Sequence, residues 1–142
     1  MDDARAVDGA ITAALEAVDD EGWARLWSAV EDAAALDEYA TWETPDGQMP
    51  YPVYAEPVDR VRQELGALGL VVPFAWPDWD GTARYTADPA ALEQAPVTDA
   101  VRLLVAILRS ERFTDGSIEG ALQSGVMQAA LARLRRWHDT GT

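Results

Sequence analysis

Val101–Arg109, with the sequence VRLLVAILR, is the longest apolar run in the chain. Apolar residues recur along it at helical spacing and also occupy the flanking positions, so a helix here would be apolar over most of its girth. A helix of this kind usually lies in the middle of a domain. We therefore expect this run to form the central helix, with Thr98 as its N-cap.

The residues after this run predict a hinge and a second helical region. SERFTDGS (110–117) is a charged turn, and GVMQAALARLRRW (125–137) is amphipathic. Gly116 can adopt the positive φ of a helix end, and Ser117 is a candidate N-cap. Gly120 and Gly125 each lower helix propensity by about 1 kcal/mol relative to Ala. They mark either the close approach of another backbone or a break between a short helix and a longer one.

The rest of the chain predicts a single all-α domain of five or six helices, residues 1–142. Residues 1–36 are expected to form a helical hairpin with Trp23 and Trp27 in its packing. Residues 37–96 form an irregular aromatic and proline-rich segment with one or two helices, one of them near 56–67. Near residues 40–54 the alternatives are a short β-hairpin and an ordered loop. Residues 97–138 form the central and C-terminal helices.

Composition limits the possible functions. Without cysteine or lysine the chain forms no disulfide, thiolate site or Schiff base. A net charge of −14 argues against binding to nucleic acid or to anionic membranes. Its acidity fits solubility, salt adaptation or nucleic-acid mimicry. No signal peptide or membrane span is expected, so a cytoplasmic location is predicted.

The sequence favours a non-enzymatic function. His138, the only histidine, is expected to be exposed near the C-terminus, which leaves histidine-based catalysis and metal binding without support. Asp78–Gly81 resembles part of a calcium loop, but Ala87 stands where the closing Glu is required. We predict no cofactor and no metal site. The carboxylate pairs Asp78/Asp80 and Asp115/Glu119 remain alternatives for sharing a proton or a hard metal.

One group of residues has the chemistry of an anion site. Arg109 and Arg112 are three apart on one helix face, just before the helix start at Ser117. Two guanidinium groups beside free helix N–H groups could hold a carboxylate or phosphate. Trp76 and Asp115 would complete the frame of this pocket.

A structural alternative exists for the same two arginines. They could pair with Glu111, Asp115, Glu119 or an acid upstream in the chain and so fasten the hinge. Likewise, the aromatic residues of the middle segment could line a ligand or peptide groove, or could form a lid that buries this segment against helices. These residues are Trp42, Tyr51, Tyr54, Phe74, Trp76 and Trp79.

Three motifs, TWETPDGQMPYPVY (41–54), LGLVVPFAWPDW (68–79) and LVAILRSERFTDGSIEGALQSGVMQAALARL (104–134), occur in this order. Together they resemble a family of small uncharacterised prokaryotic proteins, domain of unknown function 6508, over about residues 42–134. The most specific part is R-x-E-R-F-x-x-G at Arg109 to Gly116. The family's usual Phe-Asp-Trp appears here as Phe74-Ala75-Trp76. The resemblance implies the extent of the fold and assigns no activity.

The sequence leaves two classes of function open. The first is a protein-interaction or regulatory module that acts through the aromatic segment or an exposed helix face. The alternative is a domain that binds a small anionic ligand, or an enzyme, with a pocket framed by Trp76, Arg109, Arg112 and Asp115. The expected partner is therefore an unknown protein or a small anion, and a homodimer is also compatible with the sequence.

Overall fold

Helices and one β-hairpin make up the computed structural model, which describes residues 3–142. The α-helices are α1 (Asp3–Ala17), α2 (Asp20–Ala34), α3 (Glu56–Ala67), α4 (Gly81–Ala87), α5 (Val97–Ser110), α6 (Ser117–Ser124) and α7 (Val126–Thr140). The strands are β1 (Ala40–Glu43) and β2 (Tyr51–Tyr54), and 3-10 turns lie at Trp76–Asp78 and Pro89–Gln94. The predicted helical class is confirmed, and the short hairpin is the correct alternative for residues 40–54.

Helix α5 is the central helix, as its apolar run predicts. Every residue from Ala100 to Leu108 is buried, and the helix packs against α7, α6, α4 and α1. The predicted cap is wrong: α5 begins at Val97 after the extended residue Pro96, so Thr98 already lies in the first turn. Among residues 3–142, no helix is both long and apolar enough to cross a membrane.

Glycines end and restart the helices that follow α5. Gly116 has φ 93° before α6, and Gly125 has φ 86° between α6 and α7. The break at Gly125 confirms the predicted short helix followed by a longer one. Gly120 has a more open environment, because a Cβ atom at this position would have no neighbouring atom within 4 Å. The expectation that a neighbouring backbone approaches Gly120 is therefore wrong.

The N-terminal helices find their main partners elsewhere in the chain. α2 packs mainly on α3, while α1 lies against α5. Side-by-side packing of α1 on α2, expected from their short connection, is not a main contact. Both helices instead pack into one shared apolar core, which includes Ile11, Leu26, Val61 and Leu103.

Two tryptophans of α2 pack against the last turns of α7. The rings of Trp23 and Trp27 are buried and stack at 5.6 Å. The imidazole of His138 lies 4.6 Å from the Trp23 ring, and the Trp27 indole N–H donates to its Nδ1 at 3.0 Å. His138 is therefore half-buried rather than exposed, because its flat ring fits against these indoles.

The different surroundings of the two helix-region glycines predict opposite effects of alanine. Gly120→Ala should raise the free energy of unfolding by about 0.5–1 kcal/mol, because alanine reduces the freedom of the unfolded chain. Gly125→Ala should lower it by about 1–2 kcal/mol, because its φ is positive. Urea denaturation of both variants measures the difference. A destabilised Gly120→Ala would show a close contact at that position.

Candidate functional site

The turn between α5 and α6 is built around a buried carboxylate, that of Glu111. Its Oε2 accepts the N–H of Gly116 at 2.9 Å, and its Oε1 accepts the N–H of Ile118 at 2.8 Å. Glu111 thus caps α6 from the preceding turn. The predicted cap at Ser117 is wrong, since Gly116 holds that position and the Ser117 hydroxyl donates to the Thr114 carbonyl instead.

The β-hairpin is fastened to the same place. The buried Tyr54 hydroxyl donates to Glu111 Oε1 at 2.7 Å and accepts the N–H of Glu119 at 3.1 Å. The Trp42 indole N–H donates to Glu119 Oε1 at 2.8 Å. Burial, followed by the hydrogen bond to Glu111, raises the pKa of Tyr54 above its usual range. The start of α6 therefore holds both strands through side chains.

These contacts change the interpretation of the predicted anion site. The first backbone N–H groups of α6 already point at Glu111 and Tyr54. A carboxylate and a hydroxyl of the protein itself thus take the place that the sequence assigned to a bound anion. Of the two groups of donors predicted for this site, the N–H groups of α6 already have partners in the protein, and only the two guanidinium groups remain for a ligand.

Neither the Arg109 nor the Arg112 side chain makes a hydrogen bond or an ion pair with any residue of the described chain, 3–142. The structural alternative, in which they pair with acids of the hinge, is therefore wrong. Glu111 bonds to backbone N–H groups, Glu119 bonds to Trp42, and Asp115 is exposed. Eight other arginines contact a carboxylate or a backbone carbonyl: Arg25, Arg60, Arg62, Arg84, Arg102, Arg133, Arg135 and Arg136.

The two arginines line one cleft of about 270 Å³, which we call the arginine cleft. Its walls come from α5, from the turn after α5, and from the segment that leads into the first 3-10 turn and includes its first residue, Trp76. The lining residues are Pro73, Phe74, Trp76, Val105, Arg109, Arg112 and Phe113. The structure thus brings together three of the four predicted site residues and leaves Asp115 out of the lining.

Aromatic rings form much of this cleft. The Trp76 and Phe113 rings lie 6.0 Å apart, and Phe113 is 78% exposed. The sequence interpretation did not single out Phe113 as a ligand residue. Its exposure could not be predicted, because an aromatic residue in a turn is usually buried. Ala75, between Phe74 and Trp76, adds no carboxylate to this wall.

A buried arginine, Arg102, lies next to the aromatic wall of the cleft. Arg102 lies 6.0 Å under the Phe74 ring, pairs with Asp8 at 2.6 Å and donates to the Ala4 carbonyl at 2.9 Å. It ties α1 to α5 at the base of the aromatic wall. The sequence interpretation placed Arg102 only within an apolar helix and gave it no role.

In each of the two carboxylate pairs considered as catalytic or metal groups, one member has another contact. Asp80 lies 3.5 Å from Arg84, and Glu119 accepts from Trp42. In the part of the chain that the structure describes, no three His, Asp or Glu side chains are placed to hold a metal ion. The chemistry of the described site is therefore that of charge-assisted hydrogen bonding by guanidinium groups beside aromatic surfaces.

The fold and the site together define a class: a small helical domain whose buried glutamate caps a helix beside an arginine-lined cleft. The chain belongs to the family of unknown function DUF6508, whose model matches residues 18–140. The match begins before α2, so it includes a helix that the resemblance over residues 42–134 left out. No curated protein and no solved structure matches the chain.

Replacing Glu111 should disrupt the hinge. In Glu111→Gln, the amide NH₂ cannot accept a hydrogen bond from a backbone N–H. We expect the free energy of unfolding to fall by about 2–3 kcal/mol. Glu119→Gln is the matched control, with an expected loss below about 1 kcal/mol, because that carboxylate serves one exposed bond. Equal losses in the two variants, measured by chemical denaturation, would show that Glu111 is not the specific cap.

The raised pKa of Tyr54 predicts a dependence on alkaline pH. Its contribution to stability is complete below the ordinary pKa of 10 and is lost as the pH rises above that value. The free energy of unfolding should therefore fall less steeply above pH 10 in Tyr54→Phe than in the wild type. Tyr51→Phe is the control, since Tyr51 is exposed, and it should keep the wild-type slope. Tyr85, whose pKa is also raised, is common to all three proteins.

Proposed function

We propose that the protein binds a small anionic ligand in the arginine cleft, one whose carboxylate or phosphate adjoins an aromatic or apolar group. The observation that carries this proposal is that the side chains of Arg109 and Arg112 have no internal partner. In a chain of net charge −14, these two guanidinium groups lack a partner among the described residues and line the same cleft.

Electrostatics supports this proposal. Acidic residues outnumber basic ones by 25 to 11, so an internal partner for each arginine would be easy to supply. A planar guanidinium presents a fork of donors that matches a carboxylate or phosphate. The partly desolvated position of Arg109 strengthens such a bond relative to one in open water.

The aromatic walls support the second half of the ligand description. Trp76 and Phe113 offer ring faces that can stack on a flat apolar group beside the anion. None of the seven lining residues carries a carboxylate, imidazole, hydroxyl or thiol. This lining favours binding over catalysis as the function of the cleft.

Thermal denaturation with a matched ligand series tests the proposal. Phenyl phosphate and benzoate should raise the Tm by about 2–4 °C at a concentration several times the Kd, while benzyl alcohol should not act through this cleft. The variant Arg109→Gln/Arg112→Gln should lose the effect of the two anions. Arg62→Gln should keep it, because Arg62 lies outside the cleft beside Asp59.

Two results would contradict this function. One is the absence of stabilisation by either aromatic anion at millimolar concentration. The other is stabilisation of equal size in the double arginine variant, which would place the anions elsewhere. Inorganic sulfate separates general anion effects from the contribution of the aromatic group, because it carries charge without a ring.

Protein interaction through the β-hairpin is a second candidate, favoured by a different observation. Four large apolar side chains of the hairpin are exposed: Trp42, Met49, Tyr51 and Val53. Tyr51 and Val53 share the face opposite Tyr54, and each strand has one unpaired edge in the two-stranded sheet of the described chain. A second copy of the chain is the simplest partner, since antiparallel pairing of identical edges is self-complementary.

Sedimentation velocity distinguishes this second candidate. The wild type should show a dimer that grows with concentration, and Val53→Lys should remain monomeric because a charge would interrupt the apolar face. Arg62→Lys, on a helix away from the hairpin, is the control and should behave as the wild type. A wild type that stays monomeric at high concentration would argue against pairing between copies.

A further inference from the structure

An apolar groove of about 250 Å³ lies between helices α2, α3, α6 and α7, with Tyr39 at one side. Trp27 and Ala33 contribute from α2, Val58 and Val61 from α3, and Met127 and Leu131 from α7. None of its lining residues belongs to the arginine cleft. The groove is thus a separate feature of the fold.

The groove is partly open to solvent, while its inner walls belong to the core. Protein interiors pack closely, and voids larger than a water molecule are few. Here the walls are core residues, with Val58 only 2% exposed and Met127 only 1% exposed. Alanines at positions 33, 34 and 132 border the groove where larger apolar side chains would fill it. Small side chains at the rim, where Ala34 and Ala132 are exposed, therefore leave the groove open.

The Gln128 amide and the Arg135 guanidinium at the groove are already engaged. The Gln128 amide donates to the Leu122 carbonyl at 2.8 Å. The Arg135 guanidinium lies 3.6 Å from Glu31 and 5.3 Å above the Trp27 ring. No unpaired charge among the described lining residues is free to bind an ionic group. This is the opposite of the arginine cleft, where two charges lack partners.

We propose that this groove binds a small uncharged apolar molecule, a compact hydrocarbon body with at most one hydroxyl group. An enclosed engineered apolar cavity of about 150 Å³ takes up benzene. This groove is larger and partly open to solvent, so its volume admits a somewhat larger ring. Transfer of such a ligand from water to apolar walls supplies the driving force. A charged group would lose its hydration there without gaining a partner.

Cyclohexanol and cyclohexanecarboxylate form the probe pair, because they differ mainly in charge. Cyclohexanol should raise the Tm by about 2–4 °C near saturation, and cyclohexanecarboxylate should have a much smaller effect. Cyclohexanol should also shift the NMR signal of the Trp27 indole N–H, since that ring forms one wall. The Arg109→Gln/Arg112→Gln variant should bind cyclohexanol as the wild type does, which separates this groove from the arginine cleft.

Filling the groove is the decisive test. Ala33→Leu should abolish the cyclohexanol shift, and Ala34→Leu at the rim serves the same purpose if the first variant does not fold. Ala129→Leu is the control, because Ala129 lies on α7 beside a different cleft and should leave binding unchanged. Failure of cyclohexanol to bind the wild type, stronger binding of the carboxylate, or full binding by a folded groove-filled variant would each overturn the proposal.

Discussion

The buried carboxylate of Glu111 is the constraint on which the C-terminal half of the structure depends. It accepts two backbone N–H groups of α6 and the hydroxyl of Tyr54, so one side chain joins α5, α6 and the hairpin. A charge this well buried is stable only when hydrogen bonds replace its hydration. The direction in which α6 leaves the hinge and the position of the hairpin therefore follow from one set of bonds.

This arrangement also explains why the neighbouring arginines are available. Glu111 is used by the backbone and Glu119 by Trp42, while the exposed Asp115 pairs with neither arginine, so Arg109 and Arg112 have no ionic partners among residues 3–142. Phe113 then stays in solvent beside them instead of folding into the core. The arginine cleft and the apolar groove thus offer two chemistries, one charged and one neutral, in a single fold.

Much of the fold could be predicted because its causes are local. The girth of α5, the break at Gly125 and the turn in the hairpin each follow from residues within a few positions. The role of Glu111 could not be predicted, because Tyr54 is 57 residues away and a buried glutamate looks like any other in a sequence. Pairing of the arginines with nearby acids was an alternative based on proximity in sequence, and proximity does not reveal which carboxylates already have other partners.

The contact between Trp27 and His138 has a chemical consequence. Nδ1 accepts the indole N–H through its lone pair, and in this contact that lone pair does not serve as a base or a metal ligand. The only histidine of the chain is thereby committed to holding an indole in place. Since that indole is also a wall of the apolar groove, the final turns of α7 help to position a groove residue that lies 111 residues earlier in the chain.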